Sequence, residues 1–105
     1  MILDDLKKVN WLAPWEPAQS GFEQELYKEV GPRHLLHKQK AISVARRTDC
    51  DDVLFFLPDG PTPLAVVHLT WVGHTEWDPE FPSTEFYDSL EEWIENGMKR
   101  DHHRL

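Results

Sequence analysis

Apolar residues recur along this chain with two different periods, and the change of period marks the elements. Phe22, Leu26 and Val30 stand four apart, which gives a helix with one apolar stripe. Ser20-Gly21-Phe22-Glu23 has the Ser-x-x-Glu form of a capping box at its start, and Gly31-Pro32 ends it. From Leu36 the period falls to two. Ile42 and Val44 alternate with Ala41, Ser43 and Ala45 as far as Arg46-Arg47, which predicts a first strand, followed by the polar turn Thr48-Asp49-Cys50-Asp51. Val53 to Leu57 is a short unbroken apolar run, closed by the turn residues Pro58-Asp59-Gly60-Pro61. Leu64 to Val72 is a third run, too uniformly apolar for a half-wet edge, so it belongs at the centre or buried side of the sheet. The connections are too short for helical crossovers, which makes the three strands an antiparallel meander.

The ends of the chain carry the remaining pattern. Ile2, Leu3, Leu6 and Val9 fit a short amphipathic helix that Pro14 and Pro17 prevent from continuing. Residues 73 to 83 read as an acidic loop broken by Pro79 and Pro82. Ser89-Leu90-Glu91-Glu92 is a second capping box, and Leu90, Trp93, Ile94 and Met98 follow at helical spacing, with Lys99 and Arg100 where the helix dipole favours cations. The expected architecture is a single α+β domain of two layers. It comprises an irregular segment 1–18, an α-βββ-α core over 19–100 with both helices on one sheet face, and a frayed tail 101–105.

Composition narrows the class. A chain of 105 residues, 40% hydrophobic and 11% aromatic, can build one core, and a compact fold of this length has a radius of gyration of roughly 13 Å. With one cysteine, Cys50, there is no internal disulfide framework and no Cys-based zinc knuckle, so a reducing compartment is expected. The acidic start, Met1-Ile2-Leu3-Asp4-Asp5, lacks the basic leader of a signal peptide, and no apolar run approaches a membrane span, so the cytoplasm is the expected location.

The formal charge of -8 is unevenly spread. Residues 33 to 47 hold Arg33, Lys38, Lys40, Arg46 and Arg47 and no acid; residues 48 to 98 hold twelve acids and no Lys or Arg. Such a surface repels a phosphate backbone, which argues against nucleic acid, and attracts a basic protein. If the basic segment folds beside the acidic one, the two instead neutralise each other internally.

Candidate chemistry is sparse. Alternation places His68 and Thr70 on one face of the third strand, with His74 and Glu76 in the adjoining loop, and this is the best polar cluster for a small enzyme or ligand pocket. The ordinary fate of such a histidine is a neutral imidazole hydrogen-bonded to a carboxylate or carbonyl. His34 and His37 on an extended path point apart, and His74, Glu76, Asp78 and Glu80 lack the ligand order of an EF-hand, so no metal site and no cofactor is expected. Cys50 among Asp49, Asp51 and Asp52 has its thiolate disfavoured, the opposite of an activated nucleophile. Trp11, Trp15, Trp77 and Phe81 lie in proline-containing segments and serve either as packing or as anchors for a partner.

The segments Glu25-Leu26-Tyr27-Lys28-Glu29-Val30, Ala45-Arg46-Arg47, Asp51-Asp52-Val53-Leu54-Phe55, Val67-His68-Leu69-Thr70-Trp71 and the stretch Pro82 to Met98 together resemble a group of small bacterial proteins of unknown function, over residues 15 to 101. The resemblance implies a small soluble bacterial protein and supplies no activity. Size and acidity are also loosely similar to those of immunity proteins of bacterial toxin systems. The leading expectation is a non-enzymatic module that meets a basic protein with one surface made of Trp77, Asp78, Glu80 and Phe81 together with Glu91 and Glu95 of the last helix. The alternatives are a pocket around His68, Thr70 and Glu76, and self-association through a bare sheet face.

Overall fold

The computed structural model describes residues 3–19 and 21–105 and has a radius of gyration of 13.0 Å. Its elements in chain order are α1 (Leu3–Lys7), β1 (Trp15–Pro17), α2 (Phe22–Glu29), β2 (Ile42–Arg47), β3 (Asp52–Phe56), β4 (Leu64–His68), β5 (Ser83–Tyr87) and α3 (Leu90–Trp93). The last of these runs through a wide π turn, Ile94–Met98, into α4 (Lys99–His103). The sheet has five antiparallel strands in the order β1-β2-β3-β4-β5, which corrects the three-stranded meander. The three expected strands form its middle, and each edge is a strand that carries no strong apolar alternation. Trp15-Glu16-Pro17 pairs with Ala45 to Arg47, an edge position being where a proline is tolerated. Ser83 to Tyr87 pairs with Leu64 to His68 and covers the flank of β4, which accounts for the uniformly apolar character of that strand.

Both sheet faces are covered, so the two-layer expectation gives way to three layers. Leu26 from α2 and Val30, the residue that caps its C-terminus, pack on Val53, Phe55, Ala65 and Val67. Leu6 from α1 and Trp93 and Met98 from the C-terminal helix pack on Ala45, Leu54 and Leu64. Residues 53 and 55 lie on the opposite side of β3 from residue 54, so the two clusters flank one sheet. A bare face for self-association is therefore absent among the described residues. A bulge at Val44 resets the register between Ser43↔Phe55 and Ala45↔Leu54, so Ser43 reaches the α2 side and Ala45 the other.

Segment 1–18 contains α1 and β1 rather than irregular chain throughout, and the expected tail is helical as far as His103, with Asp101 buried. Ile2 and Ser20 lie outside the described residues. The Glu23 carboxylate, which the capping box would turn back to Ser20, accepts from the Ser43 N–H and Oγ at 2.9 and 2.7 Å. Burial raises its pKa, but these bonds outweigh that and hold it below the ordinary value. Ser89 caps α3 as expected, its Oγ accepting from the Glu92 N–H at 3.0 Å.

Trp93 is enclosed edge-on between Trp11 and Trp15, with centroids at 6.0 and 5.2 Å. The π turn sets Gly97 directly against it: a Cβ there would lie 2.7 Å from the indole. Trp11 and Trp15 thus belong to the packing.

Candidate functional site

Beyond His68 the third strand departs from the alternation expected of it. Val67 and Leu69 stay in the core, but Thr70 turns to α2, and Trp71 takes a left-handed backbone with φ of 54°. The cause is Glu29. Its carboxylate, 0% exposed, accepts from the Thr70 N–H at 2.8 Å, the Thr70 Oγ1 at 3.0 Å and the Trp71 N–H at 3.0 Å. The following residues are tied to the same end of α2, Thr75 Oγ1 donating to the Lys28 carbonyl and the Glu76 N–H to the Glu29 carbonyl, both at 2.8 Å. Gly31 permits this approach, because a Cβ there would lie 2.4 Å from the Glu76 carbonyl oxygen. Arg33 Nη2 donates to the Trp77 carbonyl at 3.2 Å.

The loop so fastened displays large side chains. Trp77 is 69% exposed and Phe81 47%, with Trp71 and Val72 about half exposed. Asp78 and Glu80 share this turn, the Asp78 carboxylate accepting the Glu80 N–H at 2.9 Å. Of the four aromatics in proline-containing segments, the structure brings Trp77 and Phe81 to solvent together and buries or half-buries the other two.

Under the loop lies a carboxyl pair. The hydrogen bond to Glu29, then burial, then the Glu29 charge push Glu25 up to about 7, with Lys28 opposing weakly. Glu29 is held below its ordinary value: burial alone would raise it, and the Glu25 proton and the Thr70 and Trp71 donors outweigh burial. Glu25 therefore binds more protons folded than unfolded between its ordinary value of 4.5 and about 7. Its stabilising contribution is complete below that range and lost as pH rises through it. Melting temperature is expected to fall by several degrees between about pH 5.5 and pH 8, and Glu25→Gln to flatten this slope; an unchanged slope in the variant counts against the shared proton.

His68 goes to the other sheet face. Its strand partner is Asp52, and His68 Nδ1 and Asp52 Oδ1 are 2.7 Å apart, with the His68 side chain 53% exposed. The expected grouping of His68 with Thr70 and Glu76 is thus divided by the sheet: Thr70 and Glu76 meet each other near Glu29, their Oγ1 and Oε1 at 3.4 Å. Around His68 stands a charged group that sequence reasoning missed, because it is assembled by cross-strand register. Arg47 binds Asp49 through two bonds of 2.9 and 2.8 Å and approaches Asp52 at 3.8 Å and Asp101 at 3.4 Å. Arg100 reaches Asp101 at 3.3 Å and Glu85 at 3.7 Å. Basic and acidic segments accordingly neutralise each other here. Burial, with the Asp52 and Asp49 charges, pushes the Cys50 thiol up, as its acidic neighbours foretold.

The remaining candidates are structural or dispersed. His34 is buried, its Nδ1 accepting from the Leu36 N–H at 3.0 Å and its Nε2 donating to the Pro82 carbonyl at 2.9 Å. Glu95 pairs with Lys99 at 2.6 Å. Glu91 lines a cleft of about 440 Å³ with Asp5 and Asp88 over Phe56, Pro58 and Leu90. Both belong to the helix on the opposite face from the layer that holds the Trp77 loop, so the single surface expected of Trp77, Glu91 and Glu95 is split between layers.

Fold and loop together define a class: a small α+β domain, an antiparallel sheet between helices, presenting an aromatic acidic loop at the end of α2. No family model, no curated protein and no solved structure matches the chain. No helix among the described residues is long and apolar enough to cross a membrane.

Proposed function

We propose that the chain is a non-enzymatic protein-interaction module, immunity-like in size and charge, whose docking element is the loop bearing Trp77, Asp78, Glu80 and Phe81 and whose partner is a basic protein. The observation that carries this reading is the exposure of Trp77 and Phe81 on a segment fastened from beneath by a buried carboxylate. Exposed rings on a mobile loop lose entropy when they dock; rings on a fixed loop lose less, which favours binding. Tryptophan is among the residues that most often dominate interface energetics, and the adjacent carboxylates together with the charge of -8 steer a cationic surface toward it. The surface is confined to the α2 layer and does not include Glu91 and Glu95.

Affinity capture at low salt from the native cells, with Trp77→Ala/Glu80→Lys as control, tests the reading. The wild-type chain is expected to retain a basic protein that the variant loses and that added salt releases, with Trp77→Ala alone weakening binding by about 2 kcal/mol or more. Identical recovery by both proteins defeats the proposal.

A further inference from the structure

At the end of the sheet from which the aromatic loop springs, but on the face away from α2, three side chains of different donor chemistry come together. Cys50 sits in the turn between β2 and β3, Asp52 opens β3, and His68 closes β4 as its strand partner. One donor atom from each lies within 4.8 Å of the others. The Leu69 N–H donates to the Asp51 carbonyl at 3.1 Å and fixes the turn against the end of β4. We propose that Cys50, Asp52 and His68 form a binding site for a divalent transition-metal ion of the zinc class.

The donor set argues for that class. A thiolate, an imidazole and a carboxylate suit Zn²⁺ and its neighbours, whereas Mg²⁺ and Ca²⁺ take oxygen ligands. Three protein ligands with a half-exposed histidine leave a fourth tetrahedral position facing water. Size argues the same way. The cavity at His68, lined by Asp52, Val66, Ser83, Glu85 and Arg100, is about 50 Å³. Cys50 does not line this hollow, which adjoins the site on the His68 and Asp52 side; organic ligands occupy roughly 300–1,000 Å³, so it has room for water beside an ion and excludes a substrate of that size. The neighbouring guanidiniums are already engaged. Arg47 is held by Asp49 and Asp101 and touches Asp52 only through Oδ2 at 3.8 Å, and Arg100 is held by Asp101 and Glu85, which leaves the Cys50 thiolate and Asp52 Oδ1, the oxygen that faces His68, to balance a dication. Two donors on one tetrahedral ion stand farther apart than the present 2.7 Å between His68 and Asp52, so binding exchanges that hydrogen bond for two metal bonds by a turn of the exposed imidazole.

The test is titration of the reduced chain with Co²⁺, followed by displacement with Zn²⁺. One equivalent is expected to develop the near-ultraviolet thiolate-to-cobalt band and the visible bands of tetrahedral cobalt, and Zn²⁺ to bleach them. Cys50→Ser is expected to abolish the thiolate band, and His68→Ala and Asp52→Asn to weaken binding by at least about tenfold, the scale on which even supporting residues of metal sites act. Zn²⁺ is expected to raise the melting temperature of the wild-type chain and not that of Cys50→Ser, a readout independent of colour. Absence of the bands, or bands that survive in His68→Ala and vanish in His102→Ala/His103→Ala, overturns the assignment. Trp77→Ala is expected to bind cobalt normally, which separates failure here from failure of the docking loop.

Discussion

Glu29→Ala is expected to destabilise the fold by roughly 2–5 kcal/mol and to release the segment from Thr70 to Trp77. Two backbone donors, the amides of Thr70 and Trp71, and the Thr70 hydroxyl meet their acceptor in this one carboxylate; a fully buried donor left without a partner costs about 1–3 kcal/mol, and these part-buried ones lie toward the lower end each. Removing the carboxylate also removes the reason for the left-handed turn at Trp71, whose β-region alternatives then become preferable. Denaturant midpoints measure the loss, and hydrogen exchange at the amides of Thr70 and Trp71 locates it. Glu29→Gln keeps one acceptor oxygen and turns an amide group toward the other donor, so it is expected to fall between wild type and Ala. If those two amides exchange in Glu29→Ala as slowly as in the wild type, the carboxylate does not hold the loop. Capture of a basic partner is expected to weaken in the same variant, because the rings lose their fixed support while remaining present.

Asp101→Ala is the second large effect, expected at roughly 2–4 kcal/mol. The carboxylate is buried, accepts the Trp15 Nε1–H at 2.9 Å and lies between the guanidiniums of Arg47 and Arg100. It joins the C-terminal helix to both β1 and β2, so its loss leaves an indole N–H unpaired and two cations facing each other without a counter-charge between them. Breaking a buried pair by removing one partner costs about 3–5 kcal/mol, and the retained Asp49 contact of Arg47 places this case toward the lower end. Asp101→Asn, which keeps the acceptor for Trp15 and loses only the charge, is expected to recover part of the difference. Chemical unfolding followed by tryptophan fluorescence reads both variants; a loss under about 1 kcal/mol for Ala shows that the helix is held by packing alone.

What the chain made legible was periodicity, and what it hid was pairing. The α2 stripe, the three middle strands and the Ser89 cap are local signals, each carried by residues within one turn or one strand, and each lies where expected to within a few residues. The edge strands were hidden for opposite reasons. Trp15-Glu16-Pro17 contains the residue that usually argues against a strand, and Ser83 to Tyr87 follows directly on Pro82, between the end of the expected loop at residue 83 and the Ser89 cap, where the sequence carries no element signal of its own. The distribution of helices over two faces was not readable either, because an amphipathic helix declares that it has an apolar side and not which side of a sheet receives it. At the sites, the exposure of Trp77 and Phe81 was one of two open alternatives. The engagement of Glu29 with Thr70 spans 41 residues, and the pairing of Asp52 with His68 spans 16; neither has a local signature. His68 stands out in the sequence as a polar residue within an apolar run, and strand alternation offers Thr70, two positions along, as its companion, whereas register supplies Asp52 across the strand.

The short first strand has a consequence for how these molecules behave when concentrated. Of its three residues, Trp15 has given its amide hydrogen to the Leu12 carbonyl at 3.0 Å, Pro17 has none to give, and Glu16, opposite Arg46 between the Thr48-to-Pro14 and Ala18-to-Val44 bonds, turns its amide inward to β2. That rim of the sheet is closed to growth. Among the described residues Ser83–Tyr87 is the other rim, and a sheet that can be lengthened at one margin cannot be strung into a filament: two molecules that met there would use up both open margins and stop as a pair.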